Sequence, residues 1–113
     1  MACLFCRIVN GDIPAQVVYR GPEVTAFRDI NPQAPIHVLV VPNRHIESIS
    51  ELGSADAALL GQLIEVANGL ARQEGIAESG YRLVTNRGPD AGQTVAHLHF
   101  HLLGGRAMSW PPG

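Results

Sequence analysis

Apolar residues recur along this chain with two different periods, and the period divides it into elements. Leu4-Phe5-Cys6-Arg7-Ile8-Val9 places them at near-helical spacing and stops at Asn10-Gly11, a common helix exit, so a short N-terminal helix is predicted. Val17-Val18-Tyr19-Arg20 and Glu23-Val24-Thr25-Ala26-Phe27-Arg28 are rich in β-formers and are parted by Gly21-Pro22, which predicts a hairpin. Asp29 to Pro35 carries two prolines and an asparagine and reads as a connecting loop. A third strand runs from Ile36 to Val41 and is closed by Pro42. Its alternation puts His37, Leu39 and Val41 on one face and Ile36, Val38 and Val40 on the other. Arg44-His45-Ile46 opens a short helical turn near Ser48-Ile49. Ser54 suits the cap of a long helix reaching about Glu74, with Asp56 in its first turn and Gly75 just past its end. Its apolar stripe is Leu59, Leu60, Leu63, Val66, Ala67 and Leu70. Tyr81 to Asn86 forms the fourth strand, and the glycine-bearing loop Gly88 to Gln93 leads into the fifth.

That fifth strand, Ala96 to Leu103, alternates histidine with apolar residues. On a strand His97, His99 and His101 share one face at roughly 6–7 Å spacing, while Ala96, Leu98, Phe100 and Leu102 take the other. A helix would turn residues two apart well away from each other. A solvated face normally mixes Thr, Lys, Glu and Ser, so three imidazoles in a row point to chemistry. Imidazole binds metals in its neutral form and acts as a nucleophile, and both uses stay open here. Five strands joined by short connections predict an antiparallel meander in an α+β fold, with the helices packed on the apolar face. The histidine face then looks away from the long helix.

Composition narrows the picture. A chain of 113 residues, 46% hydrophobic and 16% charged, is expected to form one folded domain spanning 1–113. Net charge is −2 and no basic stripe occurs, which argues against a nucleic-acid polymer as partner. There is no apolar run of about 18 residues and no charged leader, so no membrane association is expected and a cytoplasmic location is. The two cysteines form Cys3-x-x-Cys6. No strand precedes them, which argues against a thioredoxin-like redox motif. Such a pair can bind zinc given two further ligands, or remain idle.

His97-Leu98-His99-Phe100-His101-Leu102-Leu103 resembles the signature of the histidine triad (HIT) superfamily, most closely its Hint branch. The likeness runs from about Phe5 to Gly113. It takes in Ala26-Phe27-Arg28-Asp29-Ile30, Gln33-Ala34-Pro35-Ile36-His37, Gly92-Gln93-Thr94-Val95-Ala96-His97 and Trp110-Pro111-Pro112-Gly113.

The resemblance implies an α+β HIT fold and a hydrolase cleaving the P–N bond of purine nucleoside 5′-phosphoramidates through a nucleotidyl-histidine intermediate. His99 would be the nucleophile, with His101, His37 and the Thr94 hydroxyl on the phosphoryl group. Thr94 departs from the serine of the closest pattern, and its extra methyl narrows the site. Asp29 would accept the ribose hydroxyls, and Phe5, Phe27 and Ile30 would sandwich the base. The Gly92 and Gln93 backbone and Asn86 are further candidate donors. The same likeness implies a structural zinc held by Cys3, Cys6, His45 and His97, and no organic cofactor. It also implies a homodimer in which Trp110 lies beside the neighbour's phosphate site. Alternatives are dinucleoside polyphosphate hydrolysis or nucleotidyl transfer on the same fold, and a zinc-bearing nucleotide-binding scaffold.

Overall fold

The computed structural model describes residues 3–113. Its elements run α1 (Leu4–Val9), β1 (Val17–Arg20), β2 (Val24–Arg28), β3 (Ile36–Pro42), α2 (Ala57–Gln73), β4 (Tyr81–Val84) and β5 (Phe100–Gly104). Short 3₁₀ turns lie at Ile49–Glu51 and Ser54–Asp56. The strands form one antiparallel sheet in the order β1-β2-β3-β5-β4. The α+β class, the antiparallel sheet and the two helices therefore stand as expected. The meander order does not, because β5 lies between β3 and β4. The β3–β4 connection contains α2, and so long a connection frees β4 from lying beside β3. The inner place goes to β5, where Phe100 and Leu102 are buried, and the half-exposed β4 takes the edge.

β5 begins at Phe100 rather than Ala96, and its partner strand explains the difference. The register pairs Val40 with Phe100, which would set Leu98 opposite Pro42. Proline has no N–H to give to a ladder. The Pro42 carbonyl is taken by the His97 ring at 2.9 Å, and Leu98 N–H turns to the Ile46 carbonyl at 2.6 Å. β4 likewise stops at Val84, short of Asn86, where the Thr85 hydroxyl donates to the His99 carbonyl at 2.8 Å.

α2 starts at Ala57, not at a Ser54 cap. Ser54 sits inside a 3₁₀ turn, and the Asp56 carboxylate reaches back to accept from Gly53 N–H at 3.1 Å. The helix buries Leu59, Leu63, Ala67, Leu70 and Ala71 against Val24, Ala26, Val38, Val40, Leu98, Phe100 and Leu102. Each large side chain in that layer contributes about 1.5–3 kcal/mol by leaving water. α1 does not join it, contrary to expectation. Phe5 and Ile8 pack on the opposite face with Phe27, Leu39 and Val41. The cause is readable in β2 and β3, which are buried on both faces and so need cover on both.

Candidate active site

Leu98, Phe100 and Leu102 root the histidine segment in the core under α2, which delivers the histidines between them to the face covered by α1. His99 and His101 lie 5.0 Å apart between ring centres, and Phe5 packs edge-on against His99 at 5.1 Å. Both open on a cavity of about 380 Å³. Its walls are apolar, built chiefly by Phe5, Ile8, Ile13, Phe27, Leu39 and Val95, with Arg28, Asp29, Thr94, His99 and His101 as the polar lining. That volume is the size of a nucleotide-scale ligand site.

Fixed backbone partners set the tautomers. A carbonyl only accepts, so the 2.7 Å contact between His99 Nδ1 and the His97 carbonyl puts the ring proton on Nδ1. In the neutral ring His99 Nε2 is left with the lone pair. Gln33 N–H donates to His37 Nδ1 at 3.0 Å, so neutral His37 carries its proton on Nε2. That N–H faces His101 Nδ1 at 2.9 Å, with Asp29 Oδ2 at 3.5 Å. Neutral His101 consequently carries its own proton on Nε2. Burial lowers the pKa of His37 against the opposing charge of Asp29. Burial, then the neighbouring His99 and His37, pushes His101 down to about 4, again opposed by Asp29.

The expected site residues are brought together unequally. His99, His101, Thr94, Asp29, Phe5, Phe27 and Ile30 line the cavity, and His37 backs it through His101. Phe5 and Phe27 do not sandwich a space. They meet each other edge-on at 5.3 Å and form one wall, while Ile30 is fully exposed at the mouth. The Gly92 and Gln93 amides are not free donors, because they close turns onto the Pro89 and Gly88 carbonyls. The Gln93 side chain is spent too, bridging Gly88 N–H to the carbonyls of Glu47 and Val95. Asn86 and Trp110 lie outside the cavity's lining. Residues the pattern did not flag include Ile13, Leu39 and Val95 in the walls and the amide of Gln33. Only Leu39 carried a signal, since it alternates with His37 on β3.

Beside this cavity Cys3, Cys6, His45 and His97 bring one donor atom each within 4.8 Å of the others. His97 Nδ1 stands 3.4 Å from Cys3 Sγ and 3.5 Å from Cys6 Sγ, and His45 Nδ1 is 3.4 Å from Cys6 Sγ. Ligands of a tetrahedral ion, at bond lengths of about 2.0–2.3 Å, stand about 3.3–3.8 Å apart, so this group could bind a metal. The Pro42 carbonyl takes His97 Nε2–H, leaving Nδ1 as the ligand atom. Burial, and next the Cys3 thiol, pushes the Cys6 thiol up, an effect that a bound cation reverses. Asp29, His37 and His101 also converge. There the facing nitrogens stand at 2.9 Å, a hydrogen-bond distance shorter than the about 3.3 Å between nitrogens sharing an ion.

An antiparallel sheet that carries His97, His99 and His101 in one segment and sets the last two on a nucleotide-sized cavity is the arrangement of the histidine-triad class. The chain belongs to the HIT domain family, whose model matches residues 10–108, and it is a HIT family hydrolase. It is 48% identical over 105 residues to the purine nucleoside phosphoramidase of Escherichia coli K12, covering 93% of this chain and 88% of that one. An uncharacterised HIT-like protein of Synechococcus elongatus is 50% identical over 110 residues, 97% of this chain and 96% of the relative. The crystal structure of a HIT family hydrolase from Legionella pneumophila superposes with a TM-score of 0.97 at 51% identity, covering 99% and 100% of the two chains. Among the described residues no helix is long and apolar enough to cross a membrane.

Proposed function

We propose that this hydrolase cleaves the P–N bond of purine nucleoside 5′-phosphoramidates, with His99 as nucleophile. The observation that carries the reading is the His99 Nδ1–H donated to the His97 carbonyl at 2.7 Å, which leaves Nε2 bare in a ring that lines the cavity. The similarity to the Escherichia coli enzyme supports the same substrate class. His99 Nε2 attacks the α-phosphorus, the P–N bond breaks, and a nucleotidyl-histidine forms. The free protein holds His101 neutral, and the anionic phosphoryl group favours its taking up a proton at Nδ1 on binding, as the His37 Nε2–H turns to Asp29 Oδ2. The proton on His101 Nε2, the ring nitrogen away from His37, leaves with the amine. Water then attacks phosphorus, gives a proton to His101, and releases the nucleoside monophosphate with His99 restored. The Thr94 hydroxyl donates to a phosphoryl oxygen, and Asp29 accepts from the ribose hydroxyls. Asn31 N–H steadies that carboxylate at 2.8 Å. The Phe5–Phe27 wall takes one face of the base.

Zinc is the metal we assign to Cys3, Cys6, His45 and His97, a closed four-ligand shell that ties the N-terminal helix to the triad segment. The functional unit we propose is a homodimer with Trp110 beside the partner's phosphate site. Turnover of a fluorogenic adenosine 5′-phosphoramidate, measured beside a diadenosine polyphosphate, tests the reading. Hydrolysis of the phosphoramidate with little cleavage of the polyphosphate is expected. Preference for the polyphosphate, or tight nucleotide binding without either hydrolysis, overturns it.

A further inference from the structure

We infer that His97 is a positioning residue through which metal loading controls the nucleophile: its ring is clamped in the Cys3/Cys6/His45 site while its backbone carbonyl orients His99. The inference rests on the phosphoramidase reading of His99. One residue faces both ways here. Its fully buried ring meets the two sulfurs through Nδ1 and the Pro42 carbonyl through Nε2, and its carbonyl takes His99 Nδ1–H at 2.7 Å.

The carbonyl needs that clamp because nothing in the sheet holds it. β5 begins only at Phe100, so residues 97–99 sit outside the ladder. The neighbouring ties act on other atoms: Leu98 N–H on the Ile46 carbonyl, the Thr85 hydroxyl on the His99 carbonyl, and the Gln93 side chain on Glu47 and Val95. Without a metal the ring keeps one strong tie, Nε2–H to the Pro42 carbonyl at 2.9 Å, about which it can pivot, and the sulfurs offer Nδ1 only weak thiol hydrogen bonds. A bound ion turns those contacts into coordinate bonds and fixes the ring, and with it the peptide that follows. A hydrogen bond weakens steeply once its angle falls below about 120°. If the carbonyl swings, His99 is free to carry its proton on Nε2, and that tautomer has no lone pair to attack phosphorus.

The test strips the whole chain with a chelator and titrates zinc back. It follows zinc per chain, kcat, KM, calorimetric affinity for AMP, and the ¹⁵N–¹H signature of the His99 Nδ1–H tautomer. Loading should raise kcat by about tenfold or more, the usual scale for groups that orient a reactive one. KM and AMP affinity should hold nearly constant, and the tautomer signal should sharpen in step with zinc content. A stripped protein that keeps full kcat and the single tautomer, and merely melts lower, overturns the inference. Cys6→Ser should lose zinc and kcat together and resist rescue by added zinc; full kcat in that variant also overturns it. Should the stripped chain unfold, exchange of zinc for the larger cadmium ion keeps the site filled. Cadmium should then change kcat and the tautomer signal at unchanged AMP affinity, and an unchanged kcat counts against the coupling. If the loaded chain hydrolyses no phosphoramidate, the substrate reading fails by itself, and the zinc dependence of the His99 tautomer still decides the coupling.

Discussion

Each histidine of the site owes its tautomer to the hydrogen-bonding neighbour it faces. The Gln33 amide fixes His37, His37 fixes His101, and the His97 carbonyl fixes His99. His99→Ala should cut phosphoramidate turnover by at least about a hundredfold and leave AMP affinity nearly intact, since a nucleophile is lost but only one phosphate contact with it. Calorimetry beside single-turnover kinetics checks this, and retention of more than a few per cent of the rate refutes it. Stability should also depend on pH with a definite sign. Burial holds His37 and His101 below the ordinary histidine value, so on acidification the unfolded chain binds protons that the folded chain does not. For His101 the window runs from about 6.5, the ordinary value, down to about 4. The contribution is complete above that window and lost as pH falls through it. Denaturant midpoints should therefore drop between pH 7 and 5, and less steeply in His101→Gln. The alternation of His97, His99 and His101 was legible because a period of two declares a shared face. Gln33 N–H and the Pro42 carbonyl were not, because backbone donors and acceptors belong to every residue and only the fold selects which ones matter.

At the scale of elements, the sheet separates stability from chemistry by giving each a face. Leu63 is buried in the layer under α2, opposite the side that carries the cavity. Leu63→Ala should cost about 2–5 kcal/mol in a urea unfolding experiment, by lost transfer free energy and a residual cavity. Its kcat, measured well below the melting temperature, should stay near that of the parent chain. Phe5→Ala should both destabilise the protein and weaken nucleotide binding, because Phe5 belongs to the smaller core and to the cavity wall at once. Helix and strand identities came through from periodicity, including α1 at Leu4–Val9 and β1 at Val17–Arg20. Strand order did not come through. Alternation states which face a residue takes, and it is silent on which strand lies alongside. The early end of the β5 ladder followed from Pro42, whose missing N–H was visible in the sequence but whose position opposite Leu98 was not.

At the scale of the whole molecule, the sheet ends on β1 and β4, and the β4 edge lies beside an exposed tail. β4 is the last strand of the sheet, so one of its edges is unpaired, and such edges are normally shielded or joined to another chain. The C-terminal segment runs beside this edge: the Arg82 guanidinium donates to the Ser109 carbonyl at 3.0 Å. Trp110, next along, is 81% exposed and contributes nothing to the cavity of its own chain. Tyr81 on β4 is also exposed, its hydroxyl donating to Asn68 of α2 at 2.6 Å, so strand and helix present one continuous surface. A two-fold contact through that surface would pair β4 with its mate and bring each tail onto the other chain. Light scattering at micromolar concentration should accordingly give the mass of two chains. Removal of residues 107–113 should leave that mass unchanged, because the tail's tie to β4 is the Arg82 side chain on the Ser109 carbonyl and not a ladder bond. It should alter the ratio of turnover between bulky and small amine leaving groups, because Trp110 would stand where the amine departs. A monomeric mass for the full chain refutes the arrangement. An unchanged amine preference in the truncated dimer removes Trp110 from the site while leaving the paired edge in place.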